Sequence, residues 1–304
     1  MAKMIINGEV YSGSTNYASA ITYIKEDGTK STVQKELDSR PVNNNLLINS
    51  NFANPVNQRG YVSGTVASTD IYTIDRWAIT SGMKIELNTN GVTLEMTSND
   101  NDGKGWFLQR LEGTNFLNGK TVTYSAKING VVYSNTVTLN KTSGLQGTMV
   151  GDGFNMYMGY APSLDLYDIN IELQKDSSIT IEWAKLELGE VATPYVPRLY
   201  AEELELCRYF YQSVTTLDLS CYQVGDNVIH FAKEIKPMRV APTIIVSSDM
   251  QLRTALGNVQ SGFTFESTFS HISFFNFKAV KVNHALTYSN GPIAYGSVTL
   301  DAEL

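Results

Sequence analysis

The side chains that could do acid–base, nucleophilic or metal chemistry in this 304-residue chain are three histidines, two cysteines and thirty carboxylates. His230 sits in "VIHFA" and His271 in "FSHISFF", both among apolar strand-forming neighbours, and His284 stands apart. No second ligand lies at a zinc-site spacing from any of them, so a structural or surface role is expected. The chain has no Gly-x-Ser-x-Gly elbow, no His-Glu-x-x-His helix and no Gly-x-x-x-x-Gly-Lys phosphate loop. Cys207 and Cys221 make no disulfide framework and are expected as buried free thiols. "SNDNDGKG", with Asp100 and Asp102, resembles the start of a calcium loop but lacks the full Asp-x-Asp-x-Asp-Gly run and the distal Glu. It reads as a solvated loop, with a structural Ca²⁺ as the alternative. Glycosidase carboxylates are assembled in space and leave no fixed spacing. With no catalytic motif in view, the expectation is a non-enzyme without a cofactor.

Binding chemistry is better represented. Trp77, Trp106, Tyr61 and Tyr72 are candidates for sugar-stacking platforms, because an aromatic face offers apolar contact to a sugar ring while nearby polar groups fix its hydroxyls. The competing reading makes such rings core residues. Trp183, on an alternating face, is expected in the core. Trp77 follows "IDR", where Asp75 and Arg76 can pin a strand start, and also leans to the core. Trp106 stands beside the polar, Gly-rich "DNDGKG", and both readings stay open.

Period-two alternation dominates the elements that must position these side chains. "MKIELNTNGVTLEM" puts Met83, Ile85 and Leu87 on one face, then Val92, Leu94 and Met96 beyond a turn at Asn90-Gly91. "TVTYSAKINGVVYSNTVTL" repeats the pattern around Asn129-Gly130, and "DINIELQ" and "SITIEWAKLELG" add two strands. In the last, Ile179, Ile181 and Trp183 share a face while Leu186 and Leu188 fall on the other, which predicts a bulge. The fold class is all-β: two β-sandwich, jelly-roll-like domains joined by a short helix. Residues 1–44 read as an attachment segment with a short helix from a Ser31–Gln34 capping box to Pro41. Residues 45–197 form a first sandwich, 198–213 a helical linker and 214–304 a second β domain, or head. Net charge −7 argues against nucleic acid or anionic membrane as a partner. No run is long and apolar enough to span a bilayer, and "MAKMIINGEVYSG" is not a signal peptide.

Three segments look familiar together: "NNLLINSNFANPVNQRGYVSGT" with "YTIDRWAITSG", then "IEWAKLELGEVATPYVPRLYAEELELCRYFYQ", and the ending "VTLDAEL". The combination resembles bacteriophage and prophage tail-fibre or receptor-binding proteins, in which a carbohydrate-module-like sandwich precedes a C-terminal β head. The matching positions are Asn51, Phe52, Asn57, Gln58, Arg59 and Gly60; Asp75, Arg76 and Trp77; Leu186, Glu187, Gly189, Thr193 and Pro194; and Glu202 to Leu204 with Leu206 to Tyr209. The resemblance implies a virion setting, a homotrimer, an N-terminal end attached to other tail or baseplate proteins, and a bacterial surface polysaccharide as partner. It identifies no ligand pocket. Such a chain would be made in the host cytoplasm and act outside it.

The junction "AEELELCRYFY" has acidic residues in its first turn, which suits the helix dipole. Leu204, Cys207 and Tyr211 form one apolar stripe and Leu206 and Phe210 a second. A lone helix this short is marginal in water, so these five residues are expected to pack on a domain or on symmetry mates. The head carries six phenylalanines between Phe263 and Phe277, some of them expected at a subunit interface.

Overall fold

A computed structural model of the chain describes residues 4–6, 9–11, 22–24, 30–32, 45–66, 71–80, 82–224, 228–253, 259–260, 263–281 and 293–303. The N-terminal piece contributes two short antiparallel pairs, β1 (Met4–Ile6) with β2 (Glu9–Tyr11) and β3 (Thr22–Ile24) with β4 (Lys30–Thr32). Ser31 lies in β4 opposite Tyr23, so the expected capping box begins in a strand; residues 33–44 lie outside the described residues.

Twelve strands follow: β5 (Ser63–Thr65), β6 (Ile71–Ile74), β7 (Trp77–Ile79), β8 (Met83–Asn88), β9 (Gly91–Met96), β10 (Lys104–Leu111), β11 (Thr121–Ile128), β12 (Val131–Thr138), β13 (Gly144–Val150), β14 (Phe154–Ala161), β15 (Leu166–Gln174) and β16 (Ser177–Leu188). They form two six-stranded sheets, in the orders β13-β14-β15-β10-β7-β6 and β12-β11-β16-β9-β8-β5. One apolar core lies between them, with Trp77, Phe107, Phe52, Tyr124 and Tyr167 at its bulky centre. Trp77 stacks on Phe107 at 4.7 Å and meets Phe52 edge-on at 5.0 Å; its indole N–H donates to the Asn49 carbonyl at 2.9 Å. A full aromatic truncation there is expected to cost about 3–5 kcal/mol.

Asn129 and Gly130 both have positive φ and turn β11 into β12, as the Asn-Gly signal predicts. The other Asn-Gly pair behaves differently. Asn88 pairs with Gly91, so Thr89 and Asn90 make the turn and Gly91 opens β9. A side chain at Gly91 would meet the Ile181 carbonyl at 2.1 Å, so close approach of β16 is what demands glycine there. The predicted bulge is present: Lys127 pairs with Trp183 but Ile128 with Ile181. It moves Trp183 off the core face, where Ala184 and Leu186 take over. Trp183 is half-buried outside and stacks on Tyr195 at 4.6 Å.

A helix, Tyr200–Arg208, follows β16 in the chain, and Tyr211 opens the next strand. The head consists of β17 (Tyr211–Val224), β18 (Val228–Glu234), β19 (Thr243–Val246), β20 (Gln251–Arg253), β21 (Val259–Gln260), β22 (Phe263–His271), β23 (Phe274–Lys281) and β24 (Ile293–Asp301). β17 pairs first with β24 and then, beyond a register shift, with β18, so it belongs to both halves. The strands of the head are thus joined through β17 into one eight-stranded sheet, where two packed sheets of a sandwich were expected. Phe275 is fully buried, and Phe263 and Phe265 pack on the same head core. The side chains of Phe269 and Phe277 lie outside the described residues.

Sandwich and head are clasped by charge. Arg76, 1% exposed and in left-handed backbone conformation, pairs with Glu303 through its guanidinium and donates its backbone N–H to the same carboxylate at 3.1 Å. Arg59 reaches Asp301 at 3.2 Å and Glu303 at 3.4 Å. Phe210 lies 3.6 Å beneath the Arg76 guanidinium and Tyr211 3.8 Å beneath that of Arg59. Gln58 donates to Asp75 at 2.7 Å and to the Tyr211 carbonyl at 2.8 Å. The segments "NQRG", "IDRW", "RYFY" and "LDAEL" therefore converge on one seam. Removing the Glu303 carboxylate leaves a buried guanidinium uncompensated, and Glu303→Ala is expected to cost about 3–5 kcal/mol in thermal or denaturant unfolding.

Asp75 is fully buried, and its Oδ1 has no hydrogen-bond partner among the described residues. Burial pushes its carboxyl up from 3.8 to about 7; the Gln58 hydrogen bond and Arg59 oppose this, and Glu303 adds to it. The folded seam thus holds a proton that the unfolded chain has already released between pH 3.8 and about 7. The contribution is fully present below the unfolded value and is lost as pH rises through about 7. Asp75→Asn is expected to gain stability relative to the parent as pH rises from 4 to 8; melting curves of the two that stay parallel across that range would refute it.

Candidate functional site

The side chains best arranged to bind a ligand lie on the outer face of the β10, β14 and β15 sheet. Alternation puts Phe107 and Leu111 of β10, Ile169, Ile171 and Leu173 of β15, and Met156 and Met158 of β14 into the core. Their neighbours point outward in registered rows. Trp106, Glu172 and Asn155 make the first row, Leu108, Asn170 and Tyr157 the second, and Arg110, Asp168 and Gly159 the third. Ala78 and Tyr72 extend the second row across β7 and β6.

Trp106 is half-buried and held in place. Its indole N–H donates to the Tyr157 hydroxyl at 2.7 Å and to Glu172 at 3.2 Å, and Tyr157 donates to Glu172 at 3.5 Å. Asn155 and Lys104 reach the other Glu172 oxygen at 3.3 and 3.2 Å. Glu172 is 4% exposed, so this satisfied carboxylate anchors the ring beside it. Burial, then the Glu172 charge, push the Tyr157 hydroxyl well above its ordinary value, which keeps it a neutral donor. A ring fixed before binding loses little freedom on binding.

In the third row the Asp168 carboxylate lies over Gly159. A Cβ on Gly159 would sit 2.0 Å from Asp168 Oδ1 and 3.0 Å from the Asn170 amide nitrogen. Asn170 donates to Asp168 at 2.6 Å. Burial raises the Asp168 carboxyl, while the Asn170 hydrogen bond and Arg110 hold it down. Arg110 is hydrogen-bonded to the Tyr72 hydroxyl, and its carbonyl accepts from Arg76 at 2.7 Å, which joins this face to the seam.

Of the four aromatic candidates, Trp106 and Tyr72 come together on this face. Trp77 points the other way into the core, fully buried, with no ring face for a sugar. Tyr61 packs against the core beside β5, in the opposite sheet, with its chain held by Asn57. Glu172, Tyr157, Asn155, Asn170, Asp168, Arg110 and Lys104 were missed by sequence reasoning. The signal was present in "DINIEL", where Asp168, Asn170 and Glu172 alternate against Ile169, Ile171 and Leu173.

The proposed assembly residues divide. Cys207, Phe210 and Tyr211 are buried within the chain, the latter two under the seam arginines, so they serve the intrachain joint. Burial pushes the Cys207 thiol upward, and the side chain of Cys221 lies outside the described residues. Leu204 is half-buried. Leu206 is exposed and lines a groove of about 760 Å³ with Ile48, Ala201 and Tyr209, rimmed by Glu112, Glu202 and Glu205. The Asp100–Gly103 segment forms a single helical turn, and among the described residues no cluster of three His, Cys, Asp or Glu is placed to hold a metal. His284 lies outside them.

Comparisons of the chain with family profiles, curated proteins and solved structures find no match. The geometry of the face itself therefore carries the functional reading. Tyr157→Phe removes one of the two bonds on the Trp106 indole. It is expected to cost about 0.5–1.5 kcal/mol and to shift tryptophan emission in a Trp183→Phe background, where Trp106 emits beside the core Trp77 that the change does not touch.

Proposed function

We propose that this chain is a phage tail-fibre or receptor-binding protein that attaches, without catalysis, to a bacterial surface glycan through the outer face of β10, β14 and β15. The observation that carries the reading is Trp106, a partly open ring locked by Tyr157 and Glu172 and flanked by polar side chains. A fixed aromatic platform with hydrogen-bonding neighbours suits sugar rings. The virion setting rests on the resemblance of the seam and junction segments.

Separation of the carboxylates supports binding over cleavage. Asp168 and Glu172 are four residues apart on β15, about 13 Å along the strand. Glycosidase pairs work at about 5 to 9.5 Å. No cofactor is assigned. A homotrimer would raise weak single-site affinity by effective concentration, and the groove at Leu206 offers one exposed apolar surface for contacts between copies.

The second reading is a purely structural tail or baseplate connector. It is favoured by the seam, where the side chains of Gln58, Arg59, Asp75 and Arg76 are spent on bonds that hold sandwich and head together. Adhesion to a panel of bacterial cells and capsular polysaccharides separates the two. Trp106→Ala is expected to weaken adhesion at least tenfold while the chain stays folded by circular dichroism; equal adhesion by parent and variant favours the connector. New reducing ends in the polysaccharide would instead indicate a depolymerase. Leu206→Asp is expected to shift a trimer toward monomer by light scattering, and an unaltered mass would count against that surface.

A further inference from the structure

We infer that the sheet face takes an extended, uncharged oligosaccharide laid along β10, with Trp106 under one end and a polar subsite of Arg110, Asp168 and Gly159 under the other. The inference rests on the glycan-binding reading and adds the ligand's charge class, length and direction. Trp106 and Arg110 are four residues apart on one strand, so the two ends are about 13 Å apart. That span exceeds a single sugar ring. Between them, Leu108 and Asn170 are buried beneath their neighbours, each 6% exposed, so a ligand would meet the side chains at the two ends.

The third row is shaped to accept hydroxyls. Gly159 has no side chain, and the Asp168 carboxylate fills the space a methyl there would take, 2.0 Å from its position, so glycine is what lets that carboxylate fold across onto β14. Asp168 is half-buried, less deeply than Glu172, and stands directly opposite Arg110 across the β10–β15 pair. A carboxylate beside a guanidinium offers an acceptor and donors to adjacent sugar hydroxyls, and such charge-assisted bonds are the stronger kind.

The charges on this face are matched. Lys104 is 3.2 Å from Glu172, and Arg110 is engaged by Tyr72 and faces Asp168. Two cations meet two anions, so a uronic or sialic acid would find no unneutralised cation and would approach two carboxylates. Desolvating such a ligand without a counter-charge is unfavourable.

The test is an array of bacterial surface oligosaccharides of one to four units, with neutral and uronic- or sialic-acid-bearing members, probed with the full chain. The expected result is retention of neutral members, with affinity rising about tenfold or more from one to three units. Asp168→Asn, which keeps the shape of the side chain, is expected to abolish that rise and leave single-unit binding within about twofold. Preference for acidic members, a rise that survives Asp168→Asn, or an array on which nothing binds overturns the inference. Adhesion to cells that depends on Trp106 alongside any of those results would overturn this subsite alone. Adhesion indifferent to Trp106 would overturn the glycan-binding reading itself.

Discussion

A guanidinium placed between two β domains must be neutralised there or the domains must part. Arg76 meets that constraint with Glu303, and much else follows. Its left-handed backbone turns β6 into β7 and so aims the charge outward from the sandwich, while the next residue, Trp77, goes into the core. Phe210 beneath it fixes the end of the junction helix, and the Phe210 carbonyl accepts from Ala302 at 2.8 Å. Arg198 repeats the device at the start of the helix, pairing with Glu203 and donating to the Asn45 and Leu47 carbonyls. Buried charges are costly, yet each of these bonds two elements at a defined register, a use to which apolar packing is less suited.

The Trp106 face and the seam share β10. Arg110 offers its carbonyl to Arg76 and its side chain to Tyr72, so the third row of the face is braced by the same arginine that holds the head. Precision at Trp106 comes from a separate source, the closed network around Glu172.

Much of the fold was legible from alternation, because a half-buried strand writes its inner face at every second residue. The hairpin at Asn129-Gly130 and the bulge in β16 were both readable in this way. The consequence of the bulge was not: Trp183 left the core because one extra residue reverses the face. Trp106 and Trp77 differ in fate by a single step of parity relative to Phe107 and Ile79, and "GKGWF" alone leaves that parity open. The partners of Trp106 required knowing that β10 lies beside β15, an order that skips four intervening strands. The motif residues were recognisable as a pattern, but their role depends on Glu303, 227 positions from Arg76.

That separation bears on how the molecule comes together. Closing a flexible loop costs entropy that grows with its length, and non-local pairings form late. Once the sandwich and the head are each folded, the slack between them shrinks to the junction after β16. The same clasp then closes a short tether. Loop-closure entropy thus favours closing the clasp last, as paired arginines meet their carboxylates across a short tether. The seam is a latch that senses whether both of its parents have already folded.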